Sequence, residues 1–419
     1  MVYQDTIRDS DVIDGLNIRF LKLFGMWNAI NEYRSTGKRP PVVKIHVFGT
    51  LIITIPYIVC QLQSFFNIDF DLQKLTYLYL HPLPAASLCC RILIFWFRME
   101  SISRLYNLMR NDFFNIPQHA KAGVKKIFKK ISRLSNICCI FLLLWNAGIE
   151  ILYLIFPGTS VDYIQHHTGS MAKVKTGRKK IFGGWYPVPM SEYPYYEIIF
   201  AYEFVCLFWA ATLLAFYFCL FFQVLMCLYA QFLVLGFRLS SLKVDNDDSD
   251  SRKNNTYNKN NNTRIYEELR EILLEHKKIL SYTDELRSIY NPMVTITLGI
   301  GIMVLIIAAV QLLLGKTSDP SFIFQLVQVF SFEFLEVSLF CLGSSLIGTA
   351  SSDLQFAIYC SDWYKLDVRF RKAAQMLMIR TNRNATLSAM VMYPVNLETL
   401  EAIIQFTYSA TALMIGMVK

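Results

Sequence analysis

Residues 207–236 read LFWAATLLAFYFCLFFQVLMCLYAQFLVLG, with no charge, no proline and a single glycine at the very end. Extended back to Tyr195, the segment runs 42 residues and carries only Glu197 and Glu203 as charges. As a helix it would be roughly 60 Å long, about twice the thickness of a bilayer's hydrocarbon core. Two spans joined directly would need a turn, and no cluster of Gly, Pro, Asn or Asp supplies one. The stretch therefore predicts one helix that crosses a membrane and projects far beyond it.

The rest of the chain fits that reading. Its 419 residues are 54% hydrophobic and only 17% charged, against roughly 25% charged in soluble domains. Six further apolar segments of membrane-spanning length occur at about 42–66, 75–97, 134–156, 293–315, 321–350 and 396–418. Pro194, Pro292, Pro320 and Pro394 stand at segment starts, where a missing N–H costs a helix nothing. The expected class is an all-α membrane protein with seven transmembrane helices. Nine of the ten cysteines lie in apolar stretches with no disulfide or metal spacing, as small packing residues do.

Charge sets the expected orientation. The segment before Pro40 and the loops after spans two, four and six hold 31 Lys and Arg, while the opposite side holds 8. Basic residues collect in cytoplasmic loops. The N-terminus is therefore expected in the cytoplasm and the C-terminus outside. The net charge of +9 is assigned to these loops and not to nucleic-acid binding. After span four, DNDDSDSRKNNTYNKNNN is polar and of low complexity, so 245–262 is expected to be disordered. In 264–290, Ile265, Leu269, Ile272, Leu273, Ile279, Leu280 and Leu286 fall on one helical face. That face needs a partner, which the end of span four and residues 360–379 can supply. A cytosolic helical anchor layer is the expectation. The divisions are 1–41, a cytoplasmic N-terminus; 42–236, spans one to four; 237–292, a cytoplasmic loop; 293–350, spans five and six; 351–395, an anchor segment; and 396–419, span seven.

No nucleophile elbow, phosphate-binding loop or zinc-protease pattern is present, and no enzyme, metal or cofactor is expected. His166-His167 has no third ligand at metal spacing. Arg91, Glu150, Glu203, Glu333 and Glu336 are ionisable groups inside spans, and Arg91 is expected to pair with Glu333 or Glu336. The outer halves of spans two, three, four and six combine aromatics with scattered amides. Tyr79, Leu83, Ile149, Tyr153, Ile199, Tyr202, Phe324, Gln325, Gln328 and Phe332 are the candidate lining of a pocket for a small apolar ligand. In span seven, Thr407, Thr411, Met414 and Val418 share a face bordered by Ile415. That face either packs helices through small residues or lines a narrow path between subunits.

Residues 363–414, WYKLDVRFRKAAQMLMIRTNRNATLSAMVMYPVNLETLEAIIQFTYSATALM, resemble the insect odorant receptors. The family has a basic segment, a short polar stretch, a proline followed by a Leu-Glu-Thr run, and a terminal Tyr-Ser helix in the same order. NLETL replaces the commoner SLETF. Gustatory receptors end in a Gln-Phe pattern, where this chain has Met414-Ile415. The shared olfactory coreceptor has Gln where this chain has Met414, so the resemblance is to a ligand-tuned subunit. It implies an odorant-gated, non-selective channel for monovalent and divalent cations. Coreceptor subunits would be its partners in a heterotetramer, in the plasma membrane of olfactory neuron dendrites. Its ligand would be a small volatile odorant held in the outer bundle, and Thr407, Thr411, Met414 and Ile415 would be its share of the pore. The alternatives are a gustatory-type channel and a seven-span G-protein-coupled receptor, whose C-terminus would lie in the cytoplasm.

Overall fold

A computed structural model describes residues 16–64, 66, 80–112, 121–155, 185–188, 194–242, 255–314, 320–390 and 393–418. Its helices are α1 (Leu16–Leu23), α2 (Met26–Thr36), α3 (Pro41–Ser64), α4 (Pro82–Phe97), α5 (Met99–Asp112), α6 (Lys121–Ile155), α7 (Tyr195–Ser240), α8 (Asn255–Leu314), α9 (Pro320–Tyr359), α10 (Val368–Thr381) and α11 (Leu397–Val418). Two two-residue strands, Ser388–Ala389 and Tyr393–Pro394, pair antiparallel just before α11.

Residues 195–240 form one unbroken helix of 46 residues. Every residue from Ala215 to Met226 is buried. A helix covered on all sides is the axle of a bundle and not a wall. α1, α3, α4, α5, α6, α8 and α9 all touch α7. Its aromatics interlock with their neighbours, Phe216 against Phe95 and Phe221 against both Tyr290 and Phe340.

Among the described residues, six helices are long and apolar enough to cross a bilayer, and a seventh crossing is made if α4 and α5, bent by 70° at Arg98, count as one span. The outward face of α3 shows what surrounds them. Ile45, Phe48, Ile52, Ile55, Val59 and Leu62 are all exposed and repeat every three or four residues down one side. Such a stripe would aggregate in water but is at home against lipid.

The long helices continue past the spans at the end that carries the basic loops. The amphipathic segment and span five are one helix of 60 residues, running through Pro292. The sequence places a helix start at that proline. Burial of Tyr290, Met293 and Val294 on both sides of it holds the backbone helical despite the lost hydrogen bond. The helix already begins at Asn255, inside the stretch expected to be disordered, because extending an existing helix avoids the cost of nucleation. Likewise α9 runs to Tyr359, beyond the expected end of span six at 350.

Around these extensions α1, α2, α5 and α10 form a packed layer. Ile18, Leu21, Met26, Ile102, Leu269, Ile272, Leu286, Phe370 and Leu377 are its core. Arg238, 1% exposed, sits at its centre with Nη1 2.5 Å from Glu275 Oε2 and Nη2 3.5 Å from Glu271 Oε2. It ties the end of α7 to α8. The Arg287 guanidinium donates to the Thr386 carbonyl, 3.0 Å from Nε, and Asn291 Nδ2 donates to the Ser388 carbonyl at 2.9 Å. These bonds fix the strand pair, and so the start of α11, on α8. Asn396 caps α11 by accepting the Thr399 N–H at 2.9 Å.

Candidate ligand pocket

In the half of the bundle away from that layer, α3, α4, α6, α7 and α9 line a cavity of about 140 Å³. Small side chains leave the space. Ala85 on α4 and Ala210 and Ala211 on α7 face it, where the larger residues on either side would fill it. Thr54 and Tyr57 come from α3, Leu88 from α4, Asn146 and Ile149 from α6, Cys206, Leu207 and Leu214 from α7, and Gln328, Val329, Phe332 and Glu333 from α9. Leu80, His81 and Pro84 close it around the start of α4.

Within each helix the lining residues recur three and four apart, as residues on one face do. The wall between α3 and α7 is fixed by hydrogen bonds. Tyr202 Oη donates to the Ile53 carbonyl at 2.7 Å, and Trp209 Nε1 donates to Thr50 Oγ1 at 3.0 Å. Pro56 lies inside α3. Its missing N–H leaves the Ile52 carbonyl without an intrahelical donor, in the same turn that presents the Ile53 carbonyl to α7.

The lining is apolar apart from a few polar groups with unusual standing. Gln328 is 6% exposed and neither atom of its amide has a partner. Asn146 spends its Nδ2 on the Leu142 carbonyl at 2.9 Å and leaves Oδ1 without one. Buried polar atoms are nearly always satisfied. Amide groups left unpaired beside a cavity are groups that a ligand can satisfy.

Below the cavity the ionisable groups separate. Arg91 Nη1 meets Glu336 Oε1 at 2.5 Å. Glu333, one turn earlier on α9 and 4% exposed, lines the cavity instead. Of the two partners expected for Arg91, Glu336 is the one in contact. Glu203 accepts a hydrogen bond from Tyr186 at 2.8 Å.

Of the ten residues expected to line a pocket, Ile149, Gln328 and Phe332 do so. Tyr202 stands behind the wall, packed with Tyr57 and Cys206. Leu83 belongs to a neighbouring cluster with Leu80, Val304, Ala308 and Leu326. Ile199, Phe324 and Gln325 lie nearer the helix starts and outside the lining. Tyr79 lies outside the described residues, as does the side chain of Tyr153. Thr54, Tyr57, Asn146 and Glu333 were missed as lining. The signal for them was a polar residue deep in an apolar run, such as Asn146 in FLLLWNAGI.

The expected pore residues of the last helix differ in exposure. Thr407 and Thr411 are 8% and 5% exposed within the single chain, where α11 packs on α8 and α9. Thr411 Oγ1 donates to the Thr407 carbonyl at 2.7 Å. Met414 and Ile415 are half-buried beside them. The exposed side carries Gln405, Ser409, Ala412 and Gly416 on one strip, flanked by Phe406, Leu413 and Met417. Among the described residues no group of three His, Cys, Asp or Glu is placed to hold a metal ion.

A family model described as 7tm Odorant receptor matches residues 82–408. Odorant receptor 85b of Drosophila melanogaster is 23% identical over 194 residues, 46% of each chain. Odorant receptor 85c of the same fly is 26% identical over 142 residues, 33% of this chain and 35% of that one. These matches span less than half the length of either relative. The structure of the insect olfactory receptor OR5 from Machilis hrabei superposes with a TM-score of 0.70 at 15% identity, covering 87% of both chains. Its complex with eugenol gives the same score over 88% of both. The two share this chain's fold.

Proposed function

The chain belongs to the seven-transmembrane odorant receptor family of insects, and on that premise we propose that it is the odorant-binding subunit of a ligand-gated, non-selective cation channel assembled with the olfactory coreceptor. The observation that carries the ligand half of the proposal is the apolar cavity with the unpartnered amide of Gln328. A small volatile molecule with one polar group would fill the apolar volume and satisfy that amide. The eugenol complex of a receptor of the same fold is in keeping with such a ligand.

The charge asymmetry supports an N-terminus and packed helical layer in the cytoplasm, and the reading as a cell-surface receptor puts this multi-pass protein in the plasma membrane. The cavity then lies in the outer half of the bundle. The layer is the natural joint between subunits, and α11, the least covered of the apolar helices, is this chain's share of the pore. With Thr407 and Thr411 turned inward, the strip Gln405, Ser409, Ala412 and Gly416 is the face offered to the axis. It carries no charge, which suits weak discrimination among monovalent and divalent cations.

The test is current from cells expressing the chain with the coreceptor, screened against volatiles. Gln328→Leu is expected to raise the concentration for half-maximal current about two- to tenfold, the loss of roughly one hydrogen bond. Surface expression should stay normal. An unchanged dose–response for every active volatile would remove the cavity from the proposal.

A further inference from the structure

We propose that Glu333 sets the ligand class of this pocket, by accepting a hydrogen bond from an N–H or O–H head group that the chain itself does not supply. The inference rests on the cavity being the ligand site and goes further, to which ligands it prefers.

Glu333 is buried among apolar helices and lines the cavity. The Arg91 guanidinium pairs with Glu336 at 2.5 Å and acts on Glu333 through its charge alone. Glu203, also buried, has the Tyr186 hydroxyl at 2.8 Å. Glu333 has no hydrogen bond or ion pair among the described residues. Gly301 of α8 lies against it, where a Cβ would stand 3.4 Å from Oε2, so that position brings no side chain to the carboxyl.

A second observation points the same way. Asn146 gives its N–H to its own helix and keeps an acceptor, Oδ1, without a partner. Gln328 offers one donor and one acceptor, both unpartnered. Thr54, Tyr57 and His81 also line the cavity and carry O–H or N–H groups, so what sets the site apart is that Glu333 is the single carboxyl among its lining residues. An ether or ester, which only accepts, leaves a carboxylate there unsatisfied. An alcohol or an amine on an apolar chain donates into it. A carboxyl stranded in a membrane bundle is costly, and a site built to receive a hydrogen bond rejects the analogue that lacks the donor.

The experiment uses three probes of equal heavy-atom count: 1-hexanol, its isomer methyl pentyl ether, and hexylamine. Binding is measured on the purified full chain in lipid nanodiscs, beside Glu333→Leu and the near-isosteric Glu333→Gln. The wild type should bind the alcohol or the amine about ten- to a hundredfold tighter than the ether, as expected for a hydrogen bond to a charged or strongly polar partner. Preference for either donor over the ether supports an ionised Glu333 that accepts the hydrogen bond; a protonated Glu333 would itself donate to the ether oxygen and remove the preference, which overturns the assignment. Glu333→Leu should bring the three affinities together while leaving the ether unchanged. If that variant does not fold, Glu333→Gln decides, through a loss of at least about tenfold for the favoured donor with the ether unchanged. Equal binding of alcohol and ether by the wild type, or a ratio that survives both substitutions, overturns the role of Glu333 and leaves the pocket standing. No binding of any probe overturns both.

Discussion

Arg238 and Glu275 form a pair in which the two ends are unequally buried, and that inequality makes an asymmetric prediction. The Arg238 side chain is 2% exposed, that of Glu275 38% and that of Glu271 65%. Glu275→Ala leaves a guanidinium in the interior, with only the exposed Glu271 at 3.5 Å to answer it. Breaking a fully buried pair in this way costs roughly 3–5 kcal/mol. Because Glu275 is more than one-third exposed, solvent screens part of its contribution, and about 2–3 kcal/mol is the expected loss. Arg238→Met removes the buried charge instead. It leaves a carboxylate that water can reach, and burial already pushes Glu275 up toward its neutral form. That change should cost less than Glu275→Ala, about 1–2 kcal/mol, and Glu271→Ala at most about 1 kcal/mol. Thermal unfolding of the purified full-length variants in one detergent, followed by loss of the monodisperse peak, gives the order. The least stable should be Glu275→Ala, then Arg238→Met, then Glu271→Ala. If Arg238→Met were the most damaging, the guanidinium would be stabilising α7 and α8 by packing and not by its charge.

His276 is 4% exposed, its Nε2 has no partner, and burial, with help from Arg380, lowers its pKa to about 4. The unfolded chain, titrating near 6.5, binds more protons in between. The helical layer should therefore keep its full stability above pH 6.5 and lose on the order of 1.4 kcal/mol per pH unit as pH falls from 6.5 towards 4. His276→Leu should flatten a melting curve measured against pH over that range. Gly343→Ala would place a methyl 2.7 Å from Leu225 Cδ1, where α9 crosses the buried centre of α7. A cost of about 1–3 kcal/mol is expected, read as a lower melting temperature; a neutral result would mean that Leu225 has another rotamer to take. On α11, cysteine at Ser409 should react with a charged thiol reagent faster than cysteine at Thr411, with the coreceptor present and ligand applied. The reverse order would restore the threonine face to the pore.

The long apolar helices could be read from sequence because their causes are local. A helix closes its backbone hydrogen bonds within four residues, so the uninterrupted run at 195–236 suffices to specify one helix where two spans might have been drawn. The amphipathic stripe from Ile265 to Leu286 likewise announces that something covers it. Proline misled for the same reason. Pro292 is a stop signal in isolation, and only packing of Tyr290, Met293 and Val294 carries the helix through it. What the tertiary structure alone decided is the rotation of each helix about its axis. Thr407 and Thr411 share a face in any reading, but whether it meets α8 and α9 or a neighbouring subunit depends on contacts made by residues a hundred positions away. So too for Glu333 and Glu336. They lie three apart on one helix, and the sequence offers both to Arg91. The placement of α4 beside α9 gives Arg91 to Glu336 and turns Glu333 to the cavity. A turn of the helix by a fraction of its 3.6-residue period would exchange their roles, and that angle is set by side chains packing between helices, which no single stretch of sequence contains.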